Sequence, residues 1–150
     1  MQIQGEHLIH ASRDHVWQLL NDPAVLARIT PGVTSLVPEG DDRYKATITV
    51  VLGPVKGAFQ GLIEVTDKRP PEAMTLKLQA RGPGGGMAAI GRLTLYETET
   101  ETRATRVEWS GEPQLMGLLA TVGGRLVQGT AKTQADQFFT QLERELVRPD

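Results

Sequence analysis

The chain has 150 residues, which suits a single domain spanning 1–150, and its 16 Lys and Arg against 18 Asp and Glu give a formal net charge of −2. Such a mixed charge argues against nucleic-acid binding, which requires a concentrated basic face. The absence of cysteine excludes disulfides and thiolate metal sites. The N-terminus has no basic and apolar leader, and no apolar run approaches the ~18 residues of a membrane span. We therefore expect neither a signal peptide nor a spanning segment.

The first fifth of the chain predicts a strand followed by two short helices. Residues 2–11 alternate weakly between apolar and polar positions, as in a strand. Ser12 is a suitable N-cap for a helix over residues 13–20. Asp22 is a suitable N-cap for a second helix that starts at Pro23, because proline has no N–H to leave unpaired in the first turn.

The middle of the chain predicts about six strands separated by turns rich in glycine and proline. Apolar residues recur at every second position, which is the period of a strand with one buried face. Gly53-Pro54 and Gly82–Gly86 are the clearest turns, and Glu97 to Arg103 forms a polar hairpin connection. The best-defined strands cover 44–52, 59–65, 74–81, 87–97 and 104–112.

From about Leu115 to Val147 the apolar period becomes helical. This order of elements predicts an α+β domain, because an antiparallel sheet with one apolar face requires a cover and the long C-terminal helix is the only element large enough. We expect the sheet to curl around that helix, with the two short helices closing one end and an internal apolar cavity between them. The predicted stripe consists of Leu119, Val122, Leu126, Ala131, Ala135, Phe138, Leu142 and Leu146.

The inward faces of these elements are the main candidate site. Glycines at inward positions leave space, so a ligand pocket of roughly 300–1,000 Å³ is the prediction, and a core filled by side chains is the alternative. Leu118, Gly123 and Gly124 are expected at the same region from the helix side. The predicted ligand-binding residues are Ile48, Val50, Phe59, Gly61, Ile63, Met74, Leu76, Leu78, Gly91, Leu93, Val107, Trp109, Leu119, Val122 and Leu126.

Titratable residues do not form a recognisable catalytic or metal site in the sequence. His7 and His10 are three apart and point to opposite faces of a strand, and His15 lies in the first helix. Glu64 and Glu108 fall on outward faces of their predicted strands. We therefore predict no metal, no cofactor and no catalytic residue.

Polar and glycine-rich segments have ordinary structural interpretations. Glu97, Glu99 and Glu101 alternate with threonines and indicate a solvated hairpin. The Gly82–Gly86 turn lacks the lysine and the following helix of a phosphate-binding loop, so we interpret it as a flexible hairpin over the cavity mouth.

Two further apolar features each leave an alternative open. Trp17 either packs the first helix as core or frames the cavity entrance with Pro31 and Gly32. The apolar stretch Leu115–Ala120 is either a buried helix start or a contact for a membrane or partner.

Several of these motifs, in this order, resemble the CoxG family, named for the G-subunit of carbon monoxide dehydrogenase, within the START-like, Bet v 1-like helix-grip (SRPBCC) superfamily. The resemblance covers essentially the whole chain, and its residues are Gly5, Val16-Trp17, Asp22-Pro23, Pro31-Gly32, Gly53 to Gly61, Gly82 to Gly91 and Phe138-Phe139.

The resemblance implies a helix-grip fold and a non-enzymatic accessory role for a molybdenum hydroxylase of the CO dehydrogenase type, in maturation, membrane recruitment, or quinone or lipid handling. It implies a cytoplasmic protein, with peripheral contact at the inner face of the membrane as a further option. Some members have an apolar C-terminal anchor, whereas this sequence ends at Val147-Arg148-Pro149-Asp150. The alternatives are an adaptor with a filled core that acts through its surface, and a small hydrolase or cyclase like some helix-grip relatives.

Overall fold

The computed structural model describes residues 1–98 and 103–146 and has the expected α+β architecture. Seven antiparallel strands form one curled sheet in the order β1-β7-β6-β5-β4-β3-β2, and the long C-terminal helix packs on its inner face. The elements are β1 (Ile3–Ile9), α1 (Arg13–Leu20), α2 (Pro23–Ile29), β2 (Val33–Pro38), β3 (Arg43–Leu52), β4 (Val55–Arg69), β5 (Ala73–Gly82), β6 (Gly85–Glu97), β7 (Thr105–Gly117), a 3₁₀ turn (Leu118–Thr121) and α3 (Gly124–Leu146).

Both predicted caps are present at the two short helices. The Ser12 Oγ accepts a hydrogen bond from the His15 backbone N–H at 3.2 Å. The Asp22 carboxylate accepts from the Ala24 N–H at 3.0 Å, and Pro23 occupies the first helical turn. These bonds satisfy N–H groups that have no partner inside the helix, so the sequence prediction of both helices is confirmed.

The two glycine-rich turns lie at the same end of the sheet. Gly53, with a φ of +58°, reverses the chain between β3 and β4, a backbone angle that glycine adopts without a steric penalty. The turn after Gly82 joins β5 to β6, which pair up to Gly82 opposite Gly85. The predicted hairpin from Glu97 to Arg103 joins β6 to β7, and its Glu99 and Glu101 lie outside the described residues.

The predicted start of the long helix at Leu115 is wrong. β7 continues to Gly117 because residues 113–117 pair with residues 85–89 of β6. Gly117, with a φ of +69°, then turns the chain into the 3₁₀ turn. The Gly123 carbonyl accepts the N–H groups of Leu126 and Val127 and so begins α3.

Two apolar clusters fill most of the space between sheet and helices. The cluster at one end joins α1 and α2 to the C-terminal half of α3, with Phe139 and Leu142 buried at its centre. The cluster at the other end surrounds Phe59 and Leu119 and includes Val127 of α3. Trp17 packs against the first cluster, which favours its interpretation as core.

Candidate functional site

A cavity of about 390 Å³ lies between the concave face of the sheet and the first half of α3. Its walls are mostly aliphatic, and the polar side chains among them include Thr130, Gln134 and Glu112. The main apolar lining residues are Ile3, Ile48, Val50, Leu52, Leu78, Met87, Ala89, Trp109, Leu115, Val127 and Ala131. This volume and lining are those of a small-molecule site.

Two glycines facing each other across neighbouring strands open this cavity. Gly91 of β6 pairs directly with Gly111 of β7, and both belong to the lining. A Cβ atom built on Gly111 meets no heavy atom within 4 Å, and one built on Gly91 has only the Ser110 carbonyl oxygen nearby, at 3.6 Å. The absence of two side chains at this point therefore leaves real space in the wall.

Trp109 is the one aromatic residue among the described residues of this lining. Its indole ring lies over Gly5, where a built Cβ would come within 2.8 Å of the Trp109 Cζ2 atom. The indole Nε1 is buried and has no hydrogen-bond partner within the part of the chain that the structure describes. A buried N–H without an acceptor costs free energy, and this one lies against Gly5, 2.9 Å from a Cβ atom built there.

A second cavity of about 160 Å³ lies beside the first, between α1, α2 and the sheet. The two are neighbours because Leu78 lines the larger and Leu76, the next inward position of β5, lines the smaller. On α3, Gln134 lines the larger and Phe138, one turn later, lines the smaller. The remaining lining includes Leu20, Leu26, Val33, Tyr44, Ile63, Val65, Met74 and Leu93.

The fifteen predicted ligand-binding residues divide into three groups. Ile48, Val50, Leu78, Gly91 and Trp109 line the larger cavity. Ile63, Met74, Leu76 and Leu93 line the smaller one. Neither cavity is lined by Phe59, Gly61, Val107, Leu119, Val122 or Leu126.

The residues of the third group lie outside both cavities, most of them for identifiable reasons. Phe59, Val107 and Leu119 are completely buried within packed clusters. Gly61 does not leave inward space, because a Cβ built there would lie 3.3 Å from the Gln79 carbonyl oxygen. Leu126 is 45% exposed, since α3 presents Val127 rather than Leu126 to the sheet.

Several lining residues were not predicted, although the strand alternation contains some of them. Gly111 lies two residues after Trp109 and shares its face, and Ile3 pairs with Gly111 from β1. The predicted helix included Leu115, and the predicted stripe contained Leu126 instead of Val127. The period of two, continued through β7, identifies both Gly111 and Leu115.

His7 and His10 contact residues of α3 and line neither cavity. The His7 ring stacks on Phe139 at 4.5 Å, and its Nε2 lies 3.2 Å from the Asp136 carboxylate. The His10 Nδ1 and backbone N–H both contact the Glu143 carboxylate, at 3.1 and 3.0 Å. Within residues 1–98 and 103–146 no group of histidine and carboxylate ligands could hold a metal ion.

One arginine has a clearly perturbed environment. The Arg28 Nη2 donates a hydrogen bond of 2.5 Å to the Glu145 carboxylate, and this bond raises the pKa of Arg28 above its ordinary value. The pair joins α2 to the end of α3 and lines neither cavity.

The outer face of the sheet carries two open grooves, of about 540 and 760 Å³. Charged and amide side chains such as Glu6, Arg92, Gln60 and Arg81 line them. The cavity under α3 is therefore the better candidate for an apolar ligand. Among the helices of the described residues, none is both long enough and apolar enough to cross a membrane.

Comparison with known families assigns the chain. The model of the CoxG family, described as the G-subunit of carbon monoxide dehydrogenase, matches residues 5–147. The chain belongs to the CoxG family. No curated protein matches the sequence significantly.

Solved structures support the same fold for this CoxG-family protein. A conserved protein from Geobacillus kaustophilus is 29% identical with a TM-score of 0.90, over 97% of this chain and 94% of that one. A protein from Chromobacterium violaceum is 16% identical with a TM-score of 0.73, over 99% and 98%. An aromatase/cyclase from Streptomyces sp. R1128 is 12% identical with a TM-score of 0.70, over 97% and 92%. The fold is the helix-grip fold of the SRPBCC superfamily, and family and fold together support an accessory or binding role.

Proposed function

We propose that this CoxG-family protein binds an apolar small molecule with a carbonyl group, a quinone or a carbonyl-bearing lipid, in the cavity under α3. It serves a molybdenum hydroxylase of the CO dehydrogenase type as a non-enzymatic accessory protein. The name of the family supports the choice of partner enzyme, and the apolar cavity of about 390 Å³ supports the choice of ligand class. The same proposal includes peripheral contact of the protein with the membrane, because quinones and lipids are dissolved there.

Burial of apolar surface supplies the binding free energy. Each Å² of ligand surface removed from water contributes about 25 cal/mol before the cost of ordering the ligand. The aliphatic walls offer a hydrocarbon body many contacts and few competing polar groups. The paired glycines at 91 and 111 provide room for a flat ring or a chain against the strands.

Within the described residues the indole N–H of Trp109 has no acceptor, which favours a ligand that carries one. A ligand carbonyl oxygen that accepts from Nε1 would satisfy the buried donor, which a pure hydrocarbon would leave unpaired. A quinone combines an apolar body with such an oxygen. For this reason we prefer a quinone to a hydrocarbon as the ligand.

The composition of the lining supports a binding role over a hydrolase or cyclase. Within the described residues, the two cavities are lined by no histidine, lysine or cysteine, and Glu112 is the only carboxylate. Glu112 is half exposed and lies 3.7 Å from the Arg92 guanidinium. General acid–base catalysis requires a titratable group aimed at the substrate, and we propose no reaction here.

A matched pair of probes tests the ligand class. We expect 1,4-naphthoquinone to bind more tightly than naphthalene, as followed by titration calorimetry or by the fluorescence of the two tryptophans. Trp109→Phe keeps an aromatic ring but removes the N–H, so it should weaken naphthoquinone binding about five- to tenfold and naphthalene binding much less. Equal weakening of both would show that Trp109 contributes packing only. No binding of either probe would contradict the proposed function.

A further inference from the structure

Four segments meet at one end of the molecule, which we call the hairpin end: residues 51–56, 81–85, 116–120 and 123–126. The Leu118 N–H donates to the Gly84 carbonyl at 2.5 Å, which joins the 3₁₀ turn to the β5–β6 turn. The Leu126 side chain lies 3.1 Å from a Cβ atom built on Gly53, which places the start of α3 beside the β3–β4 turn. The four segments therefore form one continuous surface.

Large apolar side chains are exposed together on this surface. Val51 is 59% exposed, Leu118 50%, Met116 48% and Leu126 45%. Single exposed apolar residues are ordinary on protein surfaces, whereas a group of four on adjoining segments indicates a surface that contacts something apolar.

The charges at the hairpin end all have one sign. Its four segments contain Lys56, Arg81 and Arg125 and no aspartate or glutamate. None of the ion pairs within residues 1–98 and 103–146 involves these three cations. Although the chain has a net charge of −2, this end is therefore basic.

The opposite end of the sheet carries charges of both signs. Successive turns of an antiparallel meander lie at alternate ends, so the β2–β3 and β4–β5 turns lie away from the hairpin end. The β2–β3 turn contains Glu39, Asp41 and Asp42, and the β4–β5 connection begins and ends near Asp67 and Glu72. Arg43, Lys68 and Arg69 lie at the same end, and Lys68 pairs with Asp42, so this end has mixed charge, whereas the charged side chains of the hairpin end are all positive.

We propose that the hairpin end docks on a lipid bilayer that contains anionic headgroups. Exposed apolar side chains enter the boundary between headgroups and acyl chains, and lysine and arginine beside them attract the phosphates. Charge complementarity favours this occupant over an apolar protein partner, since a purely apolar interface would bury three cations that have no ion-pair partner among residues 1–98 and 103–146. Val51 also lines the cavity, so docking brings part of the cavity wall toward the lipid. This inference rests on the membrane contact of the proposed function and extends it by naming the surface and the lipid charge.

Vesicle co-sedimentation of the full chain tests the proposal without any cavity ligand. The protein should sediment with vesicles of phosphatidylcholine mixed with phosphatidylglycerol, and much less with vesicles of phosphatidylcholine alone. Replacing the cations together (Lys56→Gln, Arg81→Gln, Arg125→Gln) should lower the partition coefficient on anionic vesicles roughly tenfold or more, because each cation near the surface contributes to binding. Raising the salt concentration should weaken binding of the native protein in the same direction.

Matched variants separate the hairpin end from general charge and hydrophobicity. Arg43→Gln, Arg69→Gln and Arg144→Gln change the net charge equally and should leave the partition coefficient close to that of the native protein. Leu118→Ser with Leu126→Ser should weaken it, whereas Leu8→Ser with Val37→Ser, at residues 51% and 53% exposed, should not. All these residues are at least partly exposed, and circular dichroism verifies that the variants fold.

Three results would overturn the docking proposal: no sedimentation with anionic vesicles, equal sedimentation with both vesicle types, or equal losses in the hairpin-end variants and their controls. The result is independent of the cavity, because a protein without a ligand can still bind vesicles. Conversely, a protein that binds the cavity ligand but does not sediment with vesicles would overturn the docking proposal and leave the proposed ligand binding intact.

Discussion

Gly5 and Trp109 are packed so closely that a methyl group added at position 5 would collide with the indole ring. A Cβ atom on residue 5 would lie 2.8 to 2.9 Å from three atoms of the indole. Real Cβ contacts are not that short, so a side chain at position 5 must displace the ring. The glycine in β1 thus fixes the position of the aromatic wall of the cavity.

We expect Gly5→Ala to destabilise the protein by about 1–3 kcal/mol, the usual cost of an overpacked core position. Urea unfolding followed by circular dichroism measures this change. Gly111→Ala is the matched control, because it makes the same substitution in the neighbouring strand where the built Cβ meets nothing within 4 Å. An unchanged unfolding midpoint for Gly5→Ala would show that the indole moves freely and does not form a fixed wall.

Two glycines show how far the lining of the cavity could be predicted from the sequence. The sequence placed Gly61 and Gly91 on inward faces, but strand alternation does not tell whether the space beside a glycine is open. Gly91 faces another glycine and leaves space, whereas Gly61 lies against the backbone of β5. That distinction depends on the register between strands, which arises from pairing across the whole sheet.

At the scale of elements, the rotation of α3 about its axis decides which side chains reach the cavity. Val127 is 6% exposed and lines the cavity, while its neighbour Leu126 points to the outside. A helix places residues one apart on different faces, so the two positions report the rotation directly.

We expect Val127→Ala to cost about 1–2 kcal/mol, because it removes buried methyl groups. Leu126→Ala deletes a larger group but should cost less than about 0.5 kcal/mol, as surface substitutions usually do. Chemical denaturation of both variants measures the difference. If Leu126→Ala were the more costly variant, α3 would be rotated toward the arrangement that the sequence pattern predicts.

Elements were predictable wherever local chemistry determines them. Ser12, Asp22 and Pro23 set the two short helices, and the turns at Gly53 and Gly82 follow from glycine and proline. The start of α3 was not predictable in this way. Residues 113–117 become strand because β6 offers them partners, a long-range contact that overrides their helical spacing.

At the scale of the whole molecule, the central feature is an apolar cavity between the sheet and α3 that opens to solvent beside the exposed Val51 and Ile90. The two clusters pack against Phe139 and Phe59, and between sheet and α3 a cavity of about 390 Å³ remains. An unfilled apolar cavity forfeits contacts and lowers stability. A ligand with apolar surface would restore those contacts, which gives the fold a physical reason to bind one.

A side chain that fills the cavity should not lower the stability of the fold but should prevent ligand binding. We expect Gly111→Leu to fold with a stability equal to or above that of the native protein, because the new side chain enters open space beside Gly91. The same change should reduce naphthoquinone binding at least tenfold, because it occupies the volume that the ligand needs. Thermal unfolding and titration calorimetry measure the two effects. Normal binding by the folded variant would place the ligand elsewhere.

The most direct measurement is native mass spectrometry of the purified protein beside Gly111→Leu, followed by extraction and identification of any bound molecule. We expect the native protein to carry a hydrophobic molecule with a carbonyl group, or to take up an added quinone at one equivalent, and Gly111→Leu to do neither. A native protein that carries no ligand and does not bind added quinones or lipids would contradict ligand binding in the cavity. A Gly111→Leu variant that binds the ligand as well as the native protein would contradict it too.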